Sequence, residues 1–232
     1  ELLYEGKAKQ VYKTDKEDEY LIHYKDDATA GNGVKHDKFE GKGVLNNTIS
    51  CIIFDMLEEA GIKTHMIKKL NERDILVKKV DIFPLEVIIR NITTGSFCKR
   101  LGAPEGIVLD EPIFEMSYKN DEYGDPLIND DHAVALKLAT REELAYIKET
   151  TLKINELLKE FFLSMNLKLV DFKIEFGKTA DGTILLADEI SPDSCRLWDV
   201  DTNQKYDKDV FRQDIGDLIE TYKAVLARMQ NK

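Results

Sequence analysis

The chain has 232 residues, 43% of them hydrophobic and 33% charged, a composition that excludes a low-complexity protein and permits one globular domain or two small ones. Its formal net charge of −11 would repel a phosphate backbone, and no apolar run approaches the roughly 20 residues that cross a bilayer, so neither nucleic acid nor a membrane is expected as a partner. Three cysteines without CxxC spacing disfavour a disulfide framework and a structural zinc site, and they predict a reducing, cytoplasmic location.

The amino-terminal part of the sequence predicts a β-hairpin and then a helix. Residues 9–14 and 19–24 have the composition of strands, and a polar turn separates them. Apolar residues recur three and four apart between positions 44 and 60, and Gly61 follows where a helix cap belongs. Further strands are predicted at residues 62–67, 75–80 and 85–92.

Pro84 lies between the last two of these strands and is the candidate boundary between two units. The amino-terminal unit would cover residues 1–83 and the carboxy-terminal unit residues 84–232. In the second unit, the sequence Thr-Arg-Glu-Glu at 140–143 has the form of a capping box and predicts a long helix that ends near Met165.

The remainder predicts two strands around the Asp-Gly pair at 181–182 and a final helix, whose apolar stripe begins at Phe211 and ends at Met229. Strands dominate the first part of the chain and helices the last. Because strand and helix do not alternate regularly, the order predicts an α+β fold with mainly antiparallel sheets rather than a Rossmann fold.

One predicted strand, residues 169–176, carries apolar side chains on one face and charged side chains on the other. A two-residue loop at 181–182 would place Glu175 directly opposite Asp188. Like charges opposite each other destabilise a sheet, and a divalent cation neutralises them. The pattern therefore predicts a Mg²⁺ site, although a solvated outer face is the alternative for this strand taken alone.

Three other segments are candidates for binding anions. Residues 188–196 form a loop rich in acidic and hydroxyl groups that ends in Arg196, a composition that is also compatible with simple turn chemistry. Arg90 precedes a Thr-Thr-Gly-Ser turn that ends at Ser96, and together they form a plausible anion cradle or else an edge arginine with a capping serine. Gly6 and two lysines enter the first hairpin, where they could approach phosphates or simply form a solvated edge.

Lys78 or its neighbour Lys79 is expected to face inward from its strand, where a buried ammonium group needs a phosphate or carboxylate partner.

Four segments together resemble the SAICAR synthetase family. Residues 83–96 and 169–177 resemble its two signature segments, and residues 6–12 and 188–199 resemble further family segments in the same order. The similarity covers essentially the whole chain. It implies a two-lobed α+β fold, with an antiparallel-sheet amino-terminal lobe that resembles the ATP-binding lobe of protein kinases. The larger carboxy-terminal lobe would hold the second substrate, and ATP would bind in the cleft between the lobes.

The resemblance also implies a reaction: ATP-dependent joining of L-aspartate to the carboxylate of carboxyaminoimidazole ribonucleotide (CAIR) in purine biosynthesis, in a homodimer that uses Mg²⁺. Glu175 and Asp188 would hold the metal, and Lys173 and Arg196 would be catalytic. The ATP site that it implies consists of Lys7, Ala8, Lys9, Val11, Lys78, Ile82, Lys119, Glu175 and Asp188. The CAIR site that it implies consists of Arg90, Ser96, Asp171, Lys173, Arg196 and Arg212.

Gly31 departs from the family pattern, because members often carry an aromatic residue there, and we expect the loop at 26–37 to be more mobile as a result. Two other functions stay open. A small-molecule kinase would use similar ATP and Mg²⁺ sites without aspartate, although the sequence has no HRD or DFG motif of a protein kinase. A non-catalytic nucleotide-binding regulator could keep the fold, but the retained substrate residues argue against it.

Overall fold

Five strands from the amino-terminal part of the chain form an antiparallel sheet in the computed structural model, which describes residues 1–231. Its strand order is β1-β2-β3-β7-β6. These strands are β1 (Leu2–Glu5), β2 (Lys9–Lys13), β3 (Glu19–Tyr24), β6 (Met66–Lys69) and β7 (Asp74–Lys78). The predicted hairpin is confirmed by β2 and β3. The strand expected at 62–67 begins only at Met66, because Thr64 forms an isolated bridge with Leu186 instead.

A two-stranded hairpin, β4 (Asp27–Ala30) and β5 (Lys35–Lys38), lies beside this sheet and was not predicted. The helix α1 (Lys42–Glu59) follows and confirms the predicted apolar spacing. Ile49, Ile53, Phe54 and Leu57 are completely buried along one face of α1. Gly61 adopts a positive φ of 92° just after the helix, as its predicted cap requires.

A seven-stranded antiparallel sheet forms the second part of the molecule. Its members are β8 (Asp81–Ile82), β9 (Leu85–Ile92), β10 (Val108–Tyr118), β11 (Leu127–Ile128), β12 (Leu167–Lys178), β13 (Ile184–Ala187) and β14 (Cys195–Asp199). The predicted strand at 85–92 is confirmed as β9. Strand β12 is the centre of this sheet, because it pairs with β8, β9, β13 and β14.

The register predicted for the β12–β13 hairpin is wrong by one residue. Glu175 pairs with Ala187 rather than with Asp188. The loop contains three residues, 180–182, because Thr179 and Thr183 still bond across it and Gly182 takes a positive φ of 89°. Asp188 therefore lies just beyond the strand, and its own φ of 57° turns the backbone out of the sheet.

Helices α2 (Gly95–Leu101), α3 (Asp130–Ala135) and α4 (Arg141–Leu163) lie in the second part. The capping box before α4 is confirmed: the Thr140 hydroxyl accepts from the Glu143 N–H at 3.1 Å, and the Glu143 carboxylate accepts from the Thr140 N–H at 2.9 Å. The helix ends close to the predicted residue.

The final helix is shorter than predicted. It is α6 (Leu218–Gln230), and the short helix α5 (Asp209–Arg212) is separate from it. Asp217 caps α6 by accepting a hydrogen bond from the N–H of Glu220, so the helix cannot be extended back through the turn at Ile215, which is 55% exposed. Apolar residues keep the three- and four-residue spacing of a helix across the turn between α5 and α6, although the backbone there is not helical.

One cluster of buried apolar side chains extends from Ile22 to Met229 and includes residues on both sides of Pro84. The mixture of helices with antiparallel sheets confirms the predicted α+β class. Within residues 1–231, no helix is long and apolar enough to cross a membrane.

Replacing Thr140 with alanine tests the capping box. We expect Thr140→Ala to lower the free energy of unfolding by about 1 kcal/mol, because it leaves the first N–H groups of α4 without a side-chain acceptor. Urea unfolding followed by circular dichroism measures the change. The matched control is Thr150→Ala inside the same helix, which should keep or slightly raise stability since alanine favours the helix. Equal losses in the two variants would contradict a capping role.

Candidate active site

A cavity of about 1130 Å³ is lined by residues of both large sheets. The first sheet contributes Val11 and Val77, and the second contributes Ile174. Residues 29–32 at the tip of the β4–β5 hairpin also border it. Every residue of the implied ATP site lies on its wall: Lys7, Ala8, Lys9, Val11, Lys78, Ile82, Lys119, Glu175 and Asp188.

Lys78 reaches this wall differently from the prediction. Neither Lys78 nor Lys79 is buried, so the expectation that one of them faces the interior is wrong. Strand β7 ends at Lys78, and the side chains of both lysines are exposed there. Lys78 therefore lies at the open side of the cavity.

The two carboxylates of the predicted metal site lie in contact despite the shifted register. Each has an ammonium partner from a different part of the chain. Lys119 Nζ donates to Glu175 Oε1 at 2.7 Å, and Lys9 Nζ pairs with Asp188 and lies 2.9 Å from Glu189 Oε2. Two lysines thus pair with three clustered carboxylates, of which Glu175 and Glu189 are buried and Asp188 is partly exposed.

Burial and mutual repulsion shape the protonation of this pair. Burial, with the neighbouring Asp188 charge, raises the pKa of Glu175 to about 8, and Lys119 opposes that rise. Burial alone would also raise the pKa of Asp188, but the adjacent Lys9 ammonium holds it well below its usual range. The pair thus keeps one proton near neutral pH, and a cation bound there would displace it.

A buried histidine, His65, adjoins Asp188 and was not predicted to belong to the site. Burial lowers the pKa of His65 to about 4, so its ring is neutral, and it contacts the backbone of Asp188. Its Nε2 atom has no hydrogen-bond partner among residues 1–231. We infer that the ring helps to hold the left-handed backbone that turns Asp188 towards Glu175. A lone histidine without HxH spacing gave no signal of this role.

A smaller cavity of about 210 Å³ adjoins the first. Every residue of the implied CAIR site lines it: Arg90, Ser96, Asp171, Lys173, Arg196 and Arg212. The Arg90 guanidinium is buried and donates to Glu115 at 2.8 Å and to the Ser96 hydroxyl at 2.9 Å. The two side chains expected to form one anion cradle are therefore in contact in the structure.

Asp171 lies between two guanidinium groups. Its carboxylate accepts from Arg196 at 3.0 and 3.2 Å and lies 3.4 Å from Arg90. Asp209 continues the network by accepting from Arg196 at 2.9 Å and from Arg212 at 2.8 Å. Burial would lower the pKa of Arg196, but Asp171 and Asp209 raise it, so three cationic groups face this cavity in fixed orientations.

Strand β12 connects the two cavities. Asp171, Lys173 and Glu175 occupy alternate positions and so share one face of the strand. Four residues of extended chain separate Asp171 from Glu175, a distance of about 13 Å, with Lys173 midway. Lys173 is half exposed, and its Nζ lies 3.6 Å from Glu86. Residues that border both cavities are Glu86, Asp125, Lys173, Asp193, Ser194 and Arg212.

Two further charged residues of the site gave weak signals in the sequence. Lys42 is completely buried at the start of α1, where its Nζ pairs with Asp193 and donates to the Asp27 carbonyl at 2.9 Å. Its neighbours in the sequence are glycines, which predict only a helix start. Asp193 belonged to the loop identified as functional, but its lysine partner is too distant in sequence to be inferred.

A family model described as SAICAR synthetase matches residues 2–229. The phosphoribosylaminoimidazole-succinocarboxamide synthase of Finegoldia magna is 67% identical over 230 residues, which cover 99% of both chains. The chain belongs to the SAICAR synthetase family. The corresponding synthase of Caldanaerobacter subterraneus subsp. tengcongensis is 62% identical, over 99% of this chain and 97% of the relative. A solved SAICAR synthetase in complex with ADP has a TM-score of 0.97 and 50% identity, and the match covers 100% of this chain and 98% of that one.

The resemblance identified from four segments is therefore confirmed over the whole chain. SAICAR synthetases are ATP-dependent ligases of purine biosynthesis, so the predicted enzyme class is confirmed and a small-molecule kinase is not favoured. A site that binds a nucleotide is also supported, because that family member was solved with ADP.

Gly95 gives a direct test of the arginine network. A β-carbon at this position would lie 2.7 Å from Arg196 Nη2, whereas one at Gly102, at the other end of α2, would meet no atom within 4 Å. Both glycines have positive φ and would carry similar backbone strain in an alanine variant. We expect Gly95→Ala to lower kcat/KM at least about 100-fold by displacing Arg196. Gly102→Ala should stay within a few-fold of wild type in the same assay, and a comparable loss there would leave strain as the explanation.

Proposed function

We propose that the chain joins L-aspartate to the carboxylate of CAIR and converts ATP to ADP and phosphate, with SAICAR as the product. The observation that supports this most strongly is the arrangement of the two cavities. Nine residues expected at ATP line the larger one, six expected at CAIR line the smaller one, and the two cavities share residues of their walls.

ATP would bind in the larger cavity, between the units 1–83 and 84–232. Val11 and Ile82 offer apolar surface for the base, and Ile82 lies on the short strand that pairs with β12 just before Pro84. The ammonium groups of Lys7, Lys9 and Lys78 would face the phosphates.

Glu175 and Asp188 fit Mg²⁺. Mg²⁺ commonly binds through one or two carboxylates and completes its shell with substrate phosphates and water, so two adjacent carboxylates at a triphosphate site suffice. Bound Mg²⁺ would neutralise charge on the transferring phosphoryl group. Lys9 and Lys119 already supply cationic charge at the same place.

CAIR would bind in the smaller cavity through its phosphate and carboxylate. Arg90, Arg196 and Ser96 present donors in orientations fixed by Asp171. Asp171, Asp209 and Glu115 hold these guanidinium groups in place, and guanidinium groups fixed in this way favour an anionic ligand through charge-assisted hydrogen bonds. The carboxylate of CAIR would then lie towards Lys173 and Arg212, at the wall that the cavities share.

The chemistry follows from this placement. A carboxylate oxygen of CAIR attacks the γ-phosphorus, the bond from that phosphorus to the bridging oxygen of ADP breaks, and an acyl phosphate forms. The ammonium group of L-aspartate first loses a proton, and the resulting amine attacks the acyl carbon. Inorganic phosphate leaves with the bonding electrons, and the nitrogen loses a second proton to give the amide. Lys173 and Arg196 offset the repulsion between the two anions in the first step.

We also propose that the enzyme is a homodimer and that it works in the cytoplasm. The family resemblance supports the dimer, and three free cysteines support a reducing compartment. Light scattering coupled to gel filtration should give twice the 26.6 kDa mass of the chain at micromolar concentration. A single-chain mass throughout the accessible concentration range would contradict the dimer.

Turnover with defined substrates tests the reaction. With ATP, Mg²⁺ and CAIR, we expect ADP and the succinocarboxamide to appear in equal amounts only when L-aspartate is present, as followed by mass spectrometry. Glu175→Ala should reduce kcat/KM by more than about 100-fold, because it removes one of two metal carboxylates.

Glu149→Ala is the matched control, since Glu149 lies on the exposed face of α4 and, among residues 1–231, pairs only with Lys153 at the surface. Phosphorylated product without aspartate would move the protein to the kinase class. Nucleotide binding without any turnover would favour a regulator.

A further inference from the structure

Lys208 is a cation of the larger cavity that the roles proposed above leave without a function. It lies just before α5, is half buried, and borders the cavity beside Asp193 and Arg212. Its backbone N–H donates to the Pro192 carbonyl at 3.0 Å, which fixes it next to the loop that carries Asp193. In the described part of the chain, no carboxylate oxygen lies within 4.0 Å of the Lys208 Nζ atom, so Lys208 forms no ion pair there.

The surroundings of Lys208 carry an excess of positive charge. Burial, with the neighbouring charges of Arg212, Lys42 and Lys173, lowers the pKa of Lys208 to about 8, and Asp193 offsets only part of this effect. Asp193 already has partners of its own. Its carboxylate pairs with the buried Lys42 and accepts from the Tyr222 hydroxyl at 2.6 Å.

A partly buried ammonium group among other positive charges raises the free energy of the folded protein unless an anion from solution binds to it. Two of the three anionic substrates have cationic sites elsewhere. The arginine network at Arg90 and Arg196 faces CAIR, and the lysines around Glu175 face the triphosphate. L-Aspartate remains, and its amine must reach the CAIR carboxylate at the wall shared by the cavities.

That wall offers the two charges that an amino acid needs. L-Aspartate has two carboxylates and one ammonium group at neutral pH. Lys208 can accept a carboxylate, and Asp193, which borders both cavities, can accept the ammonium group. Burial would raise the pKa of Asp193, but Lys42 lowers it to about 2, so this acceptor stays ionised.

On the basis of the proposed function, we infer that L-aspartate binds where the two cavities meet, with one carboxylate on Nζ of Lys208 and its ammonium group on Asp193. The amine then points along the shared wall towards Lys173 and the activated carboxylate. The site selects a small dicarboxylic amino acid by pairing each charge with its opposite, and it leaves the CAIR and ATP contacts independent of Lys208.

Steady-state kinetics of Lys208→Met test this site. The KM for L-aspartate should rise about 10- to 100-fold, because one charge-assisted hydrogen bond is lost, while the KM values for CAIR and ATP should change less than about threefold. Lys208→Arg should recover part of the loss. The matched control is Lys205→Met, since Lys205 borders neither cavity and contacts Gln213 and Glu105 at the surface. It should behave as wild type.

Succinate separates the two contacts, because it has both carboxylates of L-aspartate but no ammonium group. As a competitive inhibitor against aspartate, it should bind about 10- to 100-fold more weakly to Lys208→Met. It should inhibit Asp193→Asn as strongly as wild type, although that variant needs a higher aspartate concentration. A thermal melt of each variant checks that the Lys42–Asp193 pair is not required for folding.

The inference is overturned if Lys208→Met keeps its KM for aspartate, or raises the KM for CAIR or ATP instead. Amide formation by wild type in the same assay would keep the proposed function intact in that case. A wild-type enzyme that forms no amide would defeat the proposed function itself, so the two failures are distinguishable.

Discussion

Glu175 is buried and Asp188 is partly exposed, and their two carboxylates lie together where water screens their repulsion less than it does in bulk solvent. Such a pair is stable only with cations close by, and the chain supplies them from distant places. Lys9 comes from the first sheet and Lys119 from the end of β10 in the second. The two sheets must therefore meet at this point, and the large cavity lies where they do. The acidic pair therefore depends on the packing of the two sheets. It is also the place where a cation bound to phosphate would neutralise the remaining negative charge.

Strand β12 extends this constraint into a second site. Its alternating positions place Asp171 among the arginines of one cavity and Glu175 among the lysines of the other. Because the strand is central and paired on both edges, the separation of about 13 Å is fixed by the backbone rather than by flexible loops. Lys173 lies between, at the wall where a phosphoryl group would cross. Lys208 and Asp193 border the larger cavity near this wall, where we propose that the third substrate binds.

Much of this site could be predicted from local sequence. The apolar run after Pro84 predicted β9 with its observed bounds, and the charged face of 169–176 identified Glu175 as one member of the carboxylate pair. The exact pairing could not be predicted, because Asp-Gly suits a two-residue loop as well as the three-residue loop observed. Asp188 reaches Glu175 through a left-handed turn whose backbone His65 contacts. Lys208 lies between two aspartates in the sequence and so resembles an ordinary solvated charge, since only tertiary structure removes its partners.

Transfer of an isotope between substrates tests the central claim, that the two cavities bring the CAIR carboxylate to the γ-phosphoryl group. CAIR labelled with ¹⁸O in its carboxylate would be turned over with ATP and L-aspartate, and the inorganic phosphate analysed by mass spectrometry. An acyl phosphate formed between the cavities predicts one ¹⁸O atom in each phosphate released from fully labelled CAIR. Unlabelled phosphate, with SAICAR still formed, would contradict direct phosphoryl transfer to the carboxylate and with it the role assigned to the shared wall.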